Sequence, residues 1–235
     1  NSTFTGAVTI NGGILEAANT KALGSNNTVQ VNGGTLMVSA DDAINGTNIT
    51  LNGTITSVAT LSFNNMTSNY TGRINNLTLN ADSIIDMGSA YNIRLEFAII
   101  EMSSHRLSFH NWSGTTLWGG GTGADQDRIY FGGGNYTLAN VNFYSGTTSD
   151  SFLGTGFDLG FKQSSFDDGL GGHQIIPVPE PEIWATAILL VLGGAVWLWR
   201  KHSKFQKNTT GADLPVNPRI VSKSTQISHR ELQPF

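Results

Sequence analysis

The chain has 235 residues, of which only 13% are charged and 28 are glycine, so short strands with many turns are favoured over a helical bundle. It contains no cysteine, which excludes a disulfide framework and a thiolate metal site. Residues 1–182 carry 6 basic and 15 acidic side chains (net −9), whereas residues 200–235 carry 7 and 2 (net +5). The acidic part is unsuited to nucleic acid, so we expect no such partner, and the basic part suits an anionic membrane surface.

The N-terminal part contains a repeated segment with a period near 20 residues. "VTINGGILEA" begins at Val8, "VQVNGGTLMV" at Val29, "ITLNGTITSV" at Ile49 and a looser copy, "LTLNADSIID", at Leu77. Apolar and polar residues alternate in each copy, which indicates strands, and Asn followed by a small residue indicates a turn. Because one such unit cannot bury its own apolar face, the repeats predict stacked coils, most simply a parallel β-helix, over residues 1–105.

One asparagine recurs at the same position of the repeat, as Asn11, Asn32, Asn52 and Asn80. Stacked asparagines can hydrogen-bond amide to amide along a column, and they tolerate the left-handed backbone that corners need. We interpret these residues as a structural ladder rather than as a binding site.

Residues 3–36, "TFTGAVTINGGILEAANTKALGSNNTVQVNGGTL", resemble the autotransporter-associated β-strand repeat of bacterial passenger domains. The matching elements are the opening "FTGAVTINGG", the "ALG" before the next strand and the closing "VNGGTL". This resemblance implies a right-handed parallel β-helix. The match begins within the motif at Asn1, so an open coil edge would face water, and we expect further coils to precede it.

Aromatic residues interleaved with glycine characterise residues 106–172. Alternating runs predict strands at Arg128–Phe131 and at residues 139–144. Bulky rings at the end of a solenoid can cover its open core, so we predict an aromatic-rich β cap here. The stretches "NWSG" and "GGGTGADQDRIYF" resemble segments of exported bacterial proteins that carry the autotransporter-associated repeat. In those proteins the segments lie just upstream of a C-terminal sorting signal.

The sequence predicts no catalytic residue, no metal and no cofactor. Asp125 and Asp127 are spaced like calcium ligands, but the further ligands of such a loop do not follow. Enzymes that cleave polysaccharides use paired carboxylates as acid and base. Two adjacent pairs occur in this sequence, at Asp41–Asp42 and Asp167–Asp168. Neighbours on a strand point to opposite faces, so we interpret these pairs as solvated turn residues. The sequence spacing typical of metal ligands is not found among His105, His110 and His173.

A hydrophobic segment from Ile183 to Trp199 follows a Pro- and Glu-containing linker at residues 173–182. Its 17 uncharged residues would form a helix of about 26 Å, near the shortest length that spans a bilayer core. A basic cluster follows directly, formed by Arg200, Lys201, Lys204 and Lys207. By the positive-inside rule we predict one transmembrane helix at residues 183–199, a disordered cytoplasmic tail at residues 200–235, and the solenoid outside.

The sequence "VPEPEIWATAILLVLGGAVWLWRK" resembles the PEP-CTERM sorting signal, in which Pro-Glu-Pro precedes a short hydrophobic helix and a basic cluster. Pro179, Glu180 and Pro181 match the tripeptide. The resemblance implies recognition by exosortase, a membrane-embedded cysteine transpeptidase, cleavage near the motif, and delivery to the envelope or exopolysaccharide matrix. The chain departs from the family in continuing for more than 30 residues after the basic cluster. Without cleavage, the segment would be a permanent single-pass anchor.

Together these features predict a mainly β chain with a right-handed parallel β-helix fragment, an aromatic-rich β cap and a single C-terminal transmembrane helix. The expected function is that of an exported structural cell-surface or extracellular-matrix protein without enzymatic activity. Its expected partners are the membrane, an exosortase-type enzyme and exopolysaccharide.

Two other functions stay open at this point. One is a membrane-tethered β-helical polysaccharide lyase or hydrolase, although the basic residues of positions 1–100 (Lys21, Arg73 and Arg94) are few for lyase chemistry. The other is an adhesin that binds glycans through Trp112, Trp118 and Tyr130.

Overall fold

The alternating repeats form strands with one buried and one exposed face, as in Thr28–Val31, where Val29 and Val31 are buried and their neighbours exposed. The computed structural model of the chain describes residues 5–24, 27–114, 126–163 and 171–178. Within these ranges the chain is 53% strand, has two short 3-10 helices, and folds as a β-solenoid. The prediction of a mainly β solenoid is confirmed.

The strands follow one another in chain order. They are β1 (Val8–Ile10), β2 (Ile14–Ala17), β3 (Thr28–Val31), β4 (Gly34–Val38), β5 (Asn48–Leu51), β6 (Ala59–Ser62), β7 (Tyr70–Leu79), β8 (Ser83–Asp86), β9 (Ile93–Glu101), β10 (Leu107–His110), β11 (Arg128–Phe131), β12 (Gly134–Asn135), β13 (Val141–Tyr144), β14 (Phe152–Gln163) and β15 (Gly171–Val178). The 3-10 helices are Leu138–Asn140 and Ser149–Ser151.

The strands form two parallel columns, because each turn of the chain adds one strand to each column. The first column runs β1-β3-β5-β7-β9-β11 and the second β2-β4-β6-β8-β10-β13. In the first column Val8 lies beside Val29, Val29 beside Ile49, and Ile49 beside Leu77. These are the residues at which the four sequence repeats begin, so the predicted stacking in register is confirmed.

The repeated asparagines form a hydrogen-bonded ladder at the corner that follows the first column. Nδ2 of Asn32 donates to Oδ1 of Asn11 over 2.9 Å, Asn52 donates to Asn32 over 2.8 Å, and Asn80 donates to Asn52 over 2.7 Å. Each of these amide nitrogens points toward the N-terminal end of the solenoid. The predicted structural ladder is confirmed.

The interior is filled by apolar side chains stacked one per strand. Equivalent positions of the second column are occupied by Leu15, Leu36, Leu61, Ile85, Phe109 and Phe143. From Leu36 to Phe143 these side chains are all 0% exposed. Since burying one such side chain contributes about 1.5–3 kcal/mol, the stacked interior is the main source of stability.

The solenoid widens at β7. Ile49 and Leu77 are 28 residues apart, whereas Val29 and Ile49 are 20 residues apart. The added residues supply the first half of β7, residues 70–74, which pairs with residues 93–97 of β9. That part of β9 pairs in turn with β11. From β7 onward each turn therefore has an additional strand segment with its own outer face.

An antiparallel hairpin of β14 and β15 closes the C-terminal end. β14 pairs with β13 and β15 pairs with β11, so the hairpin joins the last strands of the two columns. Parallel pairing continues through β13, which means that the coils extend past residue 105 into the segment predicted as a cap. The predicted strand Arg128–Phe131 is confirmed, and of residues 139–144 only Val141–Tyr144 form a strand.

Candidate functional site

The residues predicted to carry the sorting signal lie outside the described ranges. They are Pro179, Glu180 and Pro181, the span from Ile183 to Trp199, and the basic cluster Arg200, Lys201, Lys204 and Lys207. Within the described ranges we find no helix of the length and apolarity that crossing a membrane requires.

β15 fixes the chain up to the residue that precedes this predicted signal. Ile175, Ile176 and Pro177 are buried in the hairpin, and Pro177 lies opposite Gly156 of β14. Gly156 packs closely, because an added Cβ would lie 3.1 Å from Cβ of Val141 and 3.2 Å from Cγ2 of Ile175, so a larger residue would require these neighbours to shift. The hairpin therefore extends through Val178, over residues 173–178 that were predicted from the sequence to belong to a linker, and the tripeptide begins at the next position of the sequence.

A buried carboxylate, Glu96, connects three strands on the outer face of the widened segment. It is 5% exposed; its Oε1 lies 3.3 Å from Nε of Arg73, and its Oε2 accepts a hydrogen bond of 3.0 Å from the backbone N–H of Gly171. Arg73, Glu96, Tyr130 and Gln174 lie side by side in register. Since both carboxylate oxygens are engaged, Glu96 holds β7, β9 and β15 together and is not an accessible acid or base.

A second row beside this carboxylate contains Thr71, Arg94 and Arg128. Three arginines thus lie on three neighbouring strands, although Arg94 and Arg128 both have interaction partners within the chain. The count of basic residues made from the sequence covered only positions 1–100. It therefore left out Arg128 and did not identify this group of three arginines. A signal was present in the sequence, because "RLEF" from Arg94 and "RIYF" from Arg128 are similar four-residue strands.

Asp127 is a buried carboxylate immediately before β11. Its Oδ1 accepts a hydrogen bond of 2.8 Å from the backbone N–H of Ile93, and its Oδ2 accepts from the N–H and hydroxyl of Ser113 over 2.8 and 2.9 Å. Burial raises the pKa of Asp127 to about 6, against the opposing effect of these hydrogen bonds. Its oxygens are committed to the protein, which gives the disfavoured calcium interpretation no support; Asp125 lies outside the described ranges.

The aromatic residues considered for glycan binding are buried where the structure describes them. Trp112 is 4% exposed, with its ring 4.8 Å from that of Phe143, and Tyr130 is 1% exposed. A sugar can stack only on an open ring face, so the structure does not support a glycan contact at these two residues. Trp118 lies outside the described ranges.

The remaining candidate carboxylates and histidines are dispersed. Asp41 and Asp42 lie in a turn, as interpreted from the sequence, and Oδ1 of Asp42 accepts a hydrogen bond of 3.2 Å from Asn45; Asp167–Asp168 lie outside the described ranges. His173 Nδ1 lies 2.7 Å from Asp158 Oδ2, and His105 Nδ1 lies 3.9 Å from Asp82 Oδ1, while the ring of His110 packs against Tyr144. Over the part of the chain that the structure describes, no three His, Asp or Glu side chains converge on a metal position.

Comparisons of the chain with protein families, with curated proteins and with solved structures find no match. The resemblances noted for residues 3–36 and 178–201 therefore depend on their motifs alone. A function has to be argued from those motifs and from the geometry of the solenoid.

Proposed function

We propose that the chain is an exported structural protein of the cell envelope or extracellular matrix, with a PEP-CTERM-like sorting and membrane-anchoring signal at its C-terminus. The observation that carries this proposal is the order of parts along the chain. A stacked solenoid is closed by a hairpin that ends at Val178, and the Pro-Glu-Pro tripeptide starts at Pro179.

The packing of the solenoid supports a structural role. Its interior is filled by side chains such as Leu36, Leu61 and Phe109, all 0% exposed, so each rung serves to support the next. Its polar groups, including the asparagine ladder, Glu96 and Asp127, hold neighbouring rungs or strands together. Such a solenoid suits an extended stalk.

The composition of the C-terminal region supports the sorting role. The sequence has prolines at 179 and 181, and proline disfavours helix at the residue before it, so this composition suits a segment presented to a membrane enzyme. The apolar stretch and the basic cluster at residues 200–207 favour a transmembrane helix at residues 183–199 with the tail in the cytoplasm. Exosortase-type processing would then release the solenoid to the surface or to the exopolysaccharide.

Pulse-chase labelling in the native host tests the proposal. The full chain would carry an epitope after Phe235, and its solenoid would be detected by an antibody. We expect a membrane-bound precursor that loses the epitope during the chase, followed by a shorter solenoid form in the envelope or matrix. The matched control replaces the tripeptide with Pro179→Ala, Glu180→Ala and Pro181→Ala, and should keep the epitope.

Two other outcomes count against parts of the proposal. If the unaltered chain keeps its epitope as long as the control, sorting by cleavage is wrong and only a permanent anchor remains. If the precursor is extracted from membranes by alkaline carbonate, the anchoring itself is wrong.

A further inference from the structure

We propose that the N-terminal end of the solenoid is a docking surface for a further coil of the same repeat, stacked in parallel on β1 and β2. The surface consists of the outer edges of these two strands and the corner at residues 11–13 between them. It lies at the opposite end of the solenoid from β15, so the inference goes beyond the proposed function and does not depend on how the C-terminus is processed.

β1 and β2 each have a single strand partner within the described ranges. β1 pairs with β3 and β2 pairs with β4, and both strands stand at the ends of the sheet order. Their outer edges present backbone N–H and C=O groups that a further strand can bind, and natural proteins usually cover such edges. At the other end of the solenoid, β14 and β15 occupy the equivalent edges.

The first rung exposes apolar side chains at positions that are covered in later rungs. Leu15 is 37% exposed, whereas Leu36 and Leu61, which follow it in the same stack, are 0% exposed. Val8 is half-buried, while Val29 beneath it is 0% exposed. Another rung on this end would cover these residues as each rung covers the next.

The asparagine ladder has a direction that continues beyond the first rung. Each Nδ2 from Asn32 to Asn80 donates to the Oδ1 of the preceding asparagine. Asn11 accepts from Asn32, and its own Nδ2 has no acceptor among the described residues. An incoming coil that places an asparagine over Asn11 would supply that acceptor and extend the row.

The glycine corners show the same difference between rungs. A Cβ added to Gly34, whose φ is +88°, would lie 2.5 Å from the carbonyl oxygen of Gly13 in the rung above. Gly13 occupies the same position of its own rung with a φ of +71°, yet an added Cβ there meets nothing within 4 Å. The backbone of Gly13 fills the space next to Gly34 on its N-terminal side. The equivalent space on the N-terminal side of Gly13 is open.

The direction of the ladder favours a parallel coil over a second copy of this chain. Two copies meeting at their N-terminal ends around a two-fold axis would bring the Nδ2 groups of Asn11 face to face, donor against donor. A head-to-tail copy would meet the hairpin of β14 and β15, which in its described residues has no free column edge. The matching occupant is a coil that runs in the same direction, with an asparagine over Asn11 and apolar side chains over Val8 and Leu15.

An insertion into the full chain tests this inference. A copy of residues 29–48 is placed between Ala7 and Val8, so that Val8 follows the copy as Ile49 follows coil 29–48. Amide exchange in β1 and β2 should slow by roughly tenfold or more, because these strands leave the edge of the sheet. The matched control carries the same insertion with Val29→Ser, Asn32→Ser and Leu36→Ser in the copy, and should leave exchange at its original rate. Unchanged exchange with the intact copy, or equal slowing by both copies, would overturn the inference.

Gly13→Ala gives a second readout in the original and the extended chain. In the original chain the substitution introduces only the strain of a positive φ. In the extended chain it should also force a close backbone contact, so the unfolding temperature should fall further. Equal falls in the two chains contradict the inference. So does concentration-dependent dimerisation of the original chain that protects the amides of β1 and β2, since that would make a second copy the occupant.

Discussion

The N-terminal rungs, β1 to β6, and the C-terminal rungs, β7 to β13, continue the same two columns but are packed differently. No aromatic residue occurs between Thr5 and Ser62, and the buried apolar side chains there are Val, Ile, Leu and Ala. In the C-terminal rungs, by contrast, Phe109 stacks on Phe143 at 5.2 Å and Phe97 contacts Phe131 at 5.7 Å.

The polar groups that connect neighbouring rungs also differ between the two regions. Uncharged amides that donate along the ladder connect the N-terminal rungs, whereas buried carboxylates, Glu96 and Asp127, connect the C-terminal rungs. The added strand segment at residues 70–74 enlarges the cross-section, and rings fill the additional volume. A constant repeat therefore needs only short aliphatic side chains, while a widening and closing solenoid needs larger side chains and stronger polar connections.

The largest expected effect comes from truncating a ring of the C-terminal rungs. Phe109→Ala should lower the free energy of unfolding by about 4 kcal/mol, because it leaves a cavity between Phe143 and Ile85. Urea unfolding followed by circular dichroism measures the loss. Leu36→Ala, in the same stack of the N-terminal rungs, should cost about 3 kcal/mol. If Leu36→Ala costs more than Phe109→Ala, the rings are not the main support of the widened part.

The next effect concerns Asp127 and depends on pH. Its pKa is about 6 in the folded chain and 3.8 without the protein environment, so the folded chain binds the proton more tightly. The contribution of Asp127 to the free energy of unfolding is therefore highest below pH 4 or so and falls by roughly 3 kcal/mol as the pH rises through about 6. Asp127→Ala removes this dependence and, at neutral pH, should cost about 2 kcal/mol by leaving the N–H groups of Ile93 and Ser113 without acceptors.

Urea unfolding at a series of pH values checks this prediction. Asp127→Asn is the matched control, since it abolishes the titration but keeps one acceptor oxygen. A decline in stability between about pH 4 and 6 that persists in both variants would assign the dependence to another group.

The repeating part of the fold could be predicted from the sequence because its signals are local. Alternation and the Asn-Gly turn recur about every 20 residues in the first three copies, which allowed the register of Val8, Val29 and Ile49 and the asparagine ladder to be predicted. The segment at residues 70–74 has no copy in the preceding rungs, so no periodicity revealed it. The hairpin of β14 and β15 was missed because its strands pair with β13 and β11, partners that alternation alone does not identify.

The polar connections of the C-terminal rungs could not be predicted for the same reason. Glu96 meets Arg73, 23 positions earlier, and Gly171, 75 positions later. The sequence left open whether Trp112 and Tyr130 bind glycans or, like the other rings of the predicted cap, cover the core. In the folded chain the closing rungs bury both side chains.

A smaller effect should come from the asparagine ladder, which runs from the first rung to the corner after β7. Asn32 both donates to Asn11 and accepts from Asn52, whereas Asn80 only donates, to Asn52. Asn32→Ala should cost about 1–2 kcal/mol and Asn80→Ala about half as much, since each net hydrogen bond contributes about 0.5–1.5 kcal/mol. Amide exchange of β3 and β5 measures the local loss. Equal costs for the two variants would mean that the ladder bonds do not contribute individually.

The smallest effect should come from the ion pair of Arg73 and Glu96 in the C-terminal rungs. Glu96→Gln keeps an acceptor for the N–H of Gly171 but removes the charge that attracts Arg73. Because the side chain of Arg73 is 52% exposed, solvent screens the pair, and the loss should be only about 0.5–1 kcal/mol. A double-mutant cycle with Arg73→Gln isolates this coupling, which should shrink at 1 M salt, where the screening length is about 3 Å. Glu16→Gln in the N-terminal rungs is the control, because exposed Glu16 only accepts hydrogen bonds from uncharged groups such as Asn65 and should show no salt-dependent loss. A coupling between Arg73 and Glu96 that does not change with salt would show that shape and hydrogen bonding, rather than charge, connect β7 to β9.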